Sequence, residues 1–188
     1  MPQEKLVIVV AGMPGSGKSL VVNIAVQNGY GVVAMGDEVR EEARKRNLVP
    51  TPENIGKIML ELRQTEGEAV IAARCIPKIE NTLKTRVMVD GIRSLSEVEE
   101  LRRHFKMFTL IGIHSSPETR FRRLFNRQRS DDPADWEIFQ ERDLRELGVG
   151  LGSAIAMAEY VIVNEGDMLP VKNMVRAVLR KAETGWMK

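Results

Sequence analysis

The sequence predicts an α/β fold, a mostly parallel sheet covered by helices on both faces. Three observations carry this. Short β-branched apolar runs alternate with helical patterns along the whole chain, the order that makes βα units. The first run, "KLVIVVA" at residues 5–11, is continuously apolar after its lysine, as a strand buried on both faces requires. The length of 188 residues suits one domain, which buries roughly 70% of its unfolded surface. That single domain divides into a core over 5–36, 85–116 and 150–184, helices over 37–84, and an arginine-rich helical region over 117–149.

The elements follow in order. Residues 17–28 read as a helix that Gly29 ends. "GVVAM" (31–35) is a second strand. Residues 37–46 form a helix with acids in its first turn and bases in its last, which complements the helix dipole. Thr51 caps the next helix, with Pro52 at its first position. Helical patterns then cover 53–65 and 67–82, interrupted near Gly67 and Pro77. "TRVMVDG" (85–91) is the third strand. Ser96, with Glu99 three residues on, makes the capping box of a helix over 96–105. "MFTLIGIHS" (107–115) is the fourth strand, and one long helical stretch covers 117–147. A helix at 152–158 leads into the fifth strand, "EYVIVN" (159–164), and a last helix covers 170–183. Ligands of such sheets bind beyond the carboxyl ends of the strands. That puts Gly12, Gly36, Asp90, Ser115 and Asn164 on one rim.

The balance of charge is 28 basic against 26 acidic residues. It gives no global field for nucleic acid, so any positive potential must come from local clusters. The lone cysteine, Cys75, has no intramolecular partner, which makes a reducing compartment the default. No run approaches the ~18 apolar residues of a membrane span. A cytoplasmic protein is expected, with no membrane partner, as a monomer or homodimer.

Between the first strand and the first helix stands Gly12-Met13-Pro14-Gly15-Ser16-Gly17-Lys18-Ser19. It fits G-x-x-x-x-G-K-[ST] in the context that motif needs, strand before and helix after. Glycines let the backbone turn its N–H groups onto phosphate oxygens, and the helix beginning near Gly17 adds its positive end. Lys18 is placed to reach the outer phosphates and the Ser19 hydroxyl to ligate Mg²⁺. Asp90 ends the run "VMV" where a second metal-holding acid belongs. The residue after it is Gly91, not a water-activating glutamate, which weakens a hydrolase reading.

Arginines are the other signal. In "RFRRLFNRQR" (120–129), Arg120, Arg123 and Arg127 fall at helical spacing and Arg129 follows; Arg142 and Arg145 come later. Transfer of a phosphoryl group between two anions needs such a supply, because charge must be neutralised on donor, acceptor and transferred group together. Bland alternatives are a solvated basic face tied to nearby acids by i,i+4 pairs or a docking surface for RNA or protein. Arg40 and Arg93 each stand just past a strand end, where the arginine fork suits phosphate. The helices over 53–82 are poor in aromatics, so no base-stacking pocket is evident. Arg63 and Arg74, within them, read as surface residues that can contribute to an acceptor site.

Together these segments resemble the P-loop small-molecule kinases, the nucleoside monophosphate kinase group that includes dephospho-coenzyme A kinases. "GMPGSGKS" matches the phosphate loop. "GDEVREE" is similar to the adenylate-kinase G-D-x-x-R segment, "VMVDGIRS" to D-G-x-P-R without its proline, and "RQRSDD" to the R-x-D-D after the mobile lid. "AEYVIVNEG" is similar to the ending of dephospho-coenzyme A kinases. The pattern is most like an archaeal, adenylate-kinase-related family. The resemblance implies a three-layer αβα P-loop NTPase fold, with a five-stranded parallel sheet of order 2-3-1-4-5, a helical acceptor region and a short lid. It implies ATP and Mg²⁺, and a small-molecule acceptor of the nucleoside monophosphate or dephospho-coenzyme A type. Gly12 to Ser19 and Asn164 would serve the nucleotide, and Ser19 and Asp90 the metal. Asp37, Arg40 and Arg93 would hold the acceptor. Lys18, Arg123, Arg127, Arg129 and Asp37 would act in the transfer. The competing class is a regulatory NTPase or ATP-dependent binding protein with an RNA or protein partner.

Overall fold

Five parallel strands lie in the order β2-β3-β1-β4-β5, in a computed structural model that describes residues 4–128 and 132–185. The strands are β1 (Leu6–Ala11), β2 (Gly31–Ala34), β3 (Arg86–Asp90), β4 (Met107–His114) and β5 (Tyr160–Val163). β1 is central, paired with β3 on one side and β4 on the other. Every residue of β1 is buried, which is why its sequence does not alternate. This is the expected sheet and order, flanked by helices on both faces.

The helices are α1 (Lys18–Gln27), α2 (Met35–Lys45), α3 (Pro52–Glu66), α4 (Val70–Asn81), α5 (Leu95–His104), α6 (Pro117–Arg127), α7 (Trp136–Val149), α8 (Leu151–Ala156) and α9 (Met168–Gly185). Two cores separate on the faces of the sheet. One packs Val7, Val9, Val87 and Val89 against α2 to α5 and α8. The other packs Ile8, Val10, Met88 and Ile162 against α1 and α9. Alternate residues of one strand thus feed opposite layers.

Several boundaries differ from the sequence reading, each for a local reason. α2 begins at Met35, so Asp37 and Arg40 lie inside a helix at i,i+3 spacing. α5 is capped by Ser94, whose hydroxyl accepts from Glu97 N, not by Ser96. Glu97 reaches back to the Arg93 N–H at 2.8 Å. α4 starts at Val70 and runs through Pro77. The stretch read as one helix over 117–147 is two: α6 ends at Arg127, followed by Gln128 at φ +54, and α7 starts after its own cap, Asp135, which accepts from Ile138 N. Among the described residues no helix is long and apolar enough to cross a membrane.

Candidate active site

The loop of residues 12–19 turns from β1 into α1 at the carboxyl edge of the sheet. Gly15 and Gly17 take φ +80 and +103, a region open to glycine and strained for other residues. The loop is held from below. Asn164 Nδ2 donates to Ser16 O at 2.7 Å, and Ser115 Oγ lies 3.2 Å from the same oxygen. Asn164, expected beside the nucleotide, is 4% exposed and acts as a strut beneath the loop. Met13 is also turned inward, into the core. Pro14, Gly12, Gly15, Gly17, Lys18 and Ser19 line the open side.

That side is one wall of a cleft of about 390 Å³. A second wall is Asp90 to Arg93, a third is Arg123, Leu124 and Arg127 of α6, and a fourth is Arg142 and Glu146 of α7. The cleft gathers Lys18, Ser19, Asp90, Arg93, Arg123 and Arg127, six of the residues the sequence singles out. Arg129 lies outside the described residues. Asp37 and Arg40 do not line the cleft. They bind each other at 2.5 Å in the exposed first turns of α2; Gly36, just before them, has its N 3.9 Å from where a Cβ added to Gly91 would stand.

The electrostatics of the cleft are set by burial and by cations in excess of acids. Burial pushes the Lys18 ammonium down to about 8, against the attraction of Asp90 and Glu146; Arg93 and Arg142 act with burial. Lys18 Nζ donates to Gly12 O at 2.6 Å. Burial pushes the Asp90 carboxyl up, and Lys18 and Arg93 pull it partly back. Asp90 Oδ1 is buried without a hydrogen-bond partner. An orphaned carboxylate oxygen and the exposed Ser19 hydroxyl on one cleft suit a hard cation with oxygen ligands. Ser19 and Asp90 are therefore the residues that fit Mg²⁺.

The arginines divide by role, which their spacing alone conceals. Arg120, 4% exposed, is structural. It grips Asp143 through two nitrogens at 2.8 and 2.5 Å, and Ser115 O and Pro14 O at 3.1 and 3.3 Å. It ties α6, α7 and the loop together. Arg123 donates to Ser115 Oγ at 2.9 Å and Asn164 O at 3.0 Å while facing the cleft. Arg127 pairs with Asp132 at 2.5 Å. Arg93 pairs with Glu146 of α7. A surface for RNA would show such a stretch outward; here Arg120 and Arg123 turn inward. Asp143→Ala leaves Arg120 with half its partners in a buried place. It should lower the free energy of unfolding by about 3 kcal/mol, read from the urea midpoint.

Sequence reasoning missed Glu146, because "RDLRE" suggests it as the i,i+4 partner of Arg142 rather than of distant Arg93. It also misplaced Arg63, which is buried, not surface. Arg74 is half-buried between Glu42 and Glu66.

A glycine-turned phosphate loop, held on a 2-3-1-4-5 parallel sheet and faced by arginines, defines a nucleotide-binding P-loop protein of kinase-like fold. Comparison with known proteins agrees. Residues 11–140 match the family described as AAA domain. The chain is 49% identical over 178 residues to a UPF0200 protein of Methanocaldococcus jannaschii, covering 94% of this chain and 90% of that one. It is 46% identical over 164 residues to one of Pyrococcus furiosus, covering 85% and 88%. The chain belongs to the UPF0200 family and, over residues 11–140, to the family described as AAA domain. Among solved structures it is similar to a shikimate kinase from Acinetobacter baumannii in complex with shikimate, at a TM-score of 0.59 and 15% identity, covering 99% and 97% of the two chains. It is also similar to a gluconokinase from Sinorhizobium meliloti, at a TM-score of 0.56 and 17% identity, again covering 99% and 97%. At these identities the likeness shows the fold alone.

Proposed function

We propose that the protein transfers the γ-phosphoryl group of ATP to a small-molecule acceptor. One observation carries this reading: the phosphate loop, an orphaned carboxylate oxygen and four arginines from three separate segments face one cleft. Hydrolysis needs a positioned water and its base, and Gly91 stands where a base after Asp90 is wanted. Transfer between two anionic molecules needs the positive charge that the cleft has in excess.

Lys18 and the loop amides hold the β- and γ-phosphates. An acceptor oxygen bonds to the γ-phosphorus as the bond to the β,γ-bridging oxygen breaks, and ADP leaves with that electron pair. Arg123 and Arg127 balance the charge spread over the transferred group. Mg²⁺, held by Ser19 and Asp90, supplies further neutralisation of the phosphates when bound. Arg93 faces the acceptor, and Arg40 at the rim offers it a second cation. If the acceptor is a hydroxyl compound, its proton passes to Asp37, which must first leave Arg40. A phosphate acceptor is already ionised and needs no base. The similarity of "GDEVREE" and "AEYVIVNEG" to nucleotide and dephospho-coenzyme A kinases makes acceptors of those two types the first to try.

The test is ADP release from Mg·ATP, alone and with nucleoside monophosphates, dephospho-coenzyme A and small sugar or acid acceptors. Slow release alone, raised at least about tenfold by one acceptor with matching phosphorylated product, is the expected result. Fast release that no acceptor changes would overturn the reading in favour of a regulatory NTPase.

A further inference from the structure

Among the described residues two arginines are buried, Arg63 and Arg120, and only one of these two has its hydrogen bonds closed. Arg120 engages all three of its nitrogens, with Ser115 O, Pro14 O and both oxygens of Asp143. Arg63 of α3 is 7% exposed, yet it makes one bond, from Nη2 to Glu97 Oε1 at 2.5 Å. Its Nε and Nη1 are buried with no partner. They carry three of a guanidinium's five N–H hydrogens. A buried donor without an acceptor bears its full desolvation cost, and native structures leave few of them. An arginine serving only to neutralise Glu97 would be expected to fork onto both carboxylate oxygens, as Arg120 does on Asp143.

Position gives the open donors a use. Glu97 is fully buried; one of its oxygens holds Arg63 and the other the Arg93 N–H at 2.8 Å. Arg93 lines the cleft. The Arg63 guanidinium therefore stands one carboxylate behind the cleft wall. It lies on the β2–β3 side of the phosphate loop, across from α6, because the strand order puts the excursion of α2 to α4 there. α3 packs on α2 and α4 and is tied to α5 by the Arg63–Glu97 pair.

We infer that Arg63 is the anchor for an oxyanion of the acceptor, a carboxylate or a phosphate, which enters between α3 and the wall formed by residues 90–93. The assignment of that anion to the acceptor rests on the phosphotransferase reading; the anion site itself does not. Nε and Nη1 flank Nη2, so an oxyanion can fork onto either edge of the guanidinium while Glu97 keeps its single bond. The acceptor is thus an anion before it is phosphorylated, and its charge is read at two depths, by Arg93 at the cleft and by Arg63 behind it.

The test uses the full chain saturated with Mg·ADP, so that the phosphate loop is filled. The Arg63 Nε–Hε resonance is identified by its absence in Arg63→Lys, a change that keeps a cation beside Glu97. Inorganic phosphate and malonate are then titrated separately, with chloride as the ionic-strength control. A saturable shift of that resonance with one of the two anions and not with chloride is expected; which anion acts tells phosphate from carboxylate. By calorimetry, which reads both proteins, the same anion should bind Arg63→Lys at least tenfold more weakly than the wild type, because an ammonium lacks the fork. A resonance unmoved by both anions, or moved equally by chloride, overturns the inference. If the resonance responds while no acceptor raises ADP release, the anion site stands and the phosphotransferase reading fails.

Discussion

Lys18→Met is expected to weaken ADP binding by roughly 100-fold, the loss of charge-assisted bonds to phosphate, and yet to stabilise the empty protein. The two effects have one cause. In the folded protein the Lys18 ammonium titrates at about 8, below its ordinary 10.5, chiefly through burial. Between those values the unfolded chain still holds a proton that the folded protein has released. Stability from this group therefore rises with pH through that window, and the full penalty stands below pH 8. Methionine fills the same space with no charge to desolvate, and its helix propensity is close to that of lysine. Against this, the variant loses the bond from Nζ to Gly12 O. The net gain at neutral pH is on the order of 2 kcal/mol, or about 4–8 °C in Tm for a chain of this size. Above pH 10.5 the gain should vanish. A variant no more stable than the wild type at neutral pH would show that Lys18 is not strained.

The same titration sets the affinity for nucleotide. Phosphate oxygens bind the charged lysine, so ADP must restore the proton that the empty site has lost. With metal-free ADP, affinity should fall roughly 30-fold between about pH 7 and about pH 9.5, with net proton uptake on binding. Calorimetry in two buffers of different ionisation enthalpy reads the uptake directly. Lys18→Arg, which stays charged across this range, should flatten the pH dependence. A flat profile in the wild type contradicts the lowered pKa.

How much of this was legible in the sequence depends on the range of the interaction. β1 and the phosphate loop were plain, because both are written in consecutive residues. The strand order came only with the family resemblance; βα alternation alone does not choose it. The cap of α5 shows the limit of local pattern. Ser94 and Ser96 are each followed by glutamate three residues on, so both fit a capping box. The Arg93 N–H selects Glu97, and with it Ser94. The arginines show the same limit at longer range. Arg120, Arg123 and Arg127 share a helical face, yet Arg120 is withdrawn by Asp143, 23 residues on. Arg93 finds Glu146 across 53 residues. Nothing in a window of ten or fifteen residues distinguishes an arginine that faces a ligand from one that locks two helices. Arg63 was invisible for the same reason: its surroundings, "LELRQTE", read as an exposed polar face, and its burial depends on Glu97 of α5.

Gly17→Ala should do more damage than any change beyond the loop, and it separates strain from collision. Gly17 has φ +103, where a side chain costs roughly 1–2 kcal/mol in a left-handed backbone. A Cβ there would also lie 2.2 Å from Asn164 Nδ2, far inside contact distance. Asn164 cannot simply retreat. Its side-chain Nδ2 holds Ser16 O at 2.7 Å, and its backbone carbonyl accepts from Ser115 Oγ at 2.7 Å and Arg123 Nη2 at 3.0 Å, which pins the residue in place. Moving it releases the loop from beneath and loosens α6 from the end of β5. Loss of detectable ADP binding is expected, with a fall in stability of about 3–4 kcal/mol. Gly29→Ala is the control for strain alone. Gly29 also has positive φ, +84, but a Cβ there meets only Arg86 Nη2 at 3.6 Å. It should cost about 1 kcal/mol and leave ADP affinity unchanged. Asn164→Ala is the control for the strut alone: no collision, the backbone carbonyl kept, the bond to Ser16 O and the long 3.4 Å bond from Arg123 Nη2 to Oδ1 lost, and ADP binding weakened about tenfold. If Gly17→Ala behaves like Gly29→Ala, the loop tolerates a side chain at its tightest point, and its packing against Asn164 does not govern the nucleotide site. If it behaves like a collapse of the loop, while Asn164→Ala keeps measurable affinity, then the shape of the loop is set by contact with β5. In that case the nucleotide senses the far edge of the sheet through a single buried amide.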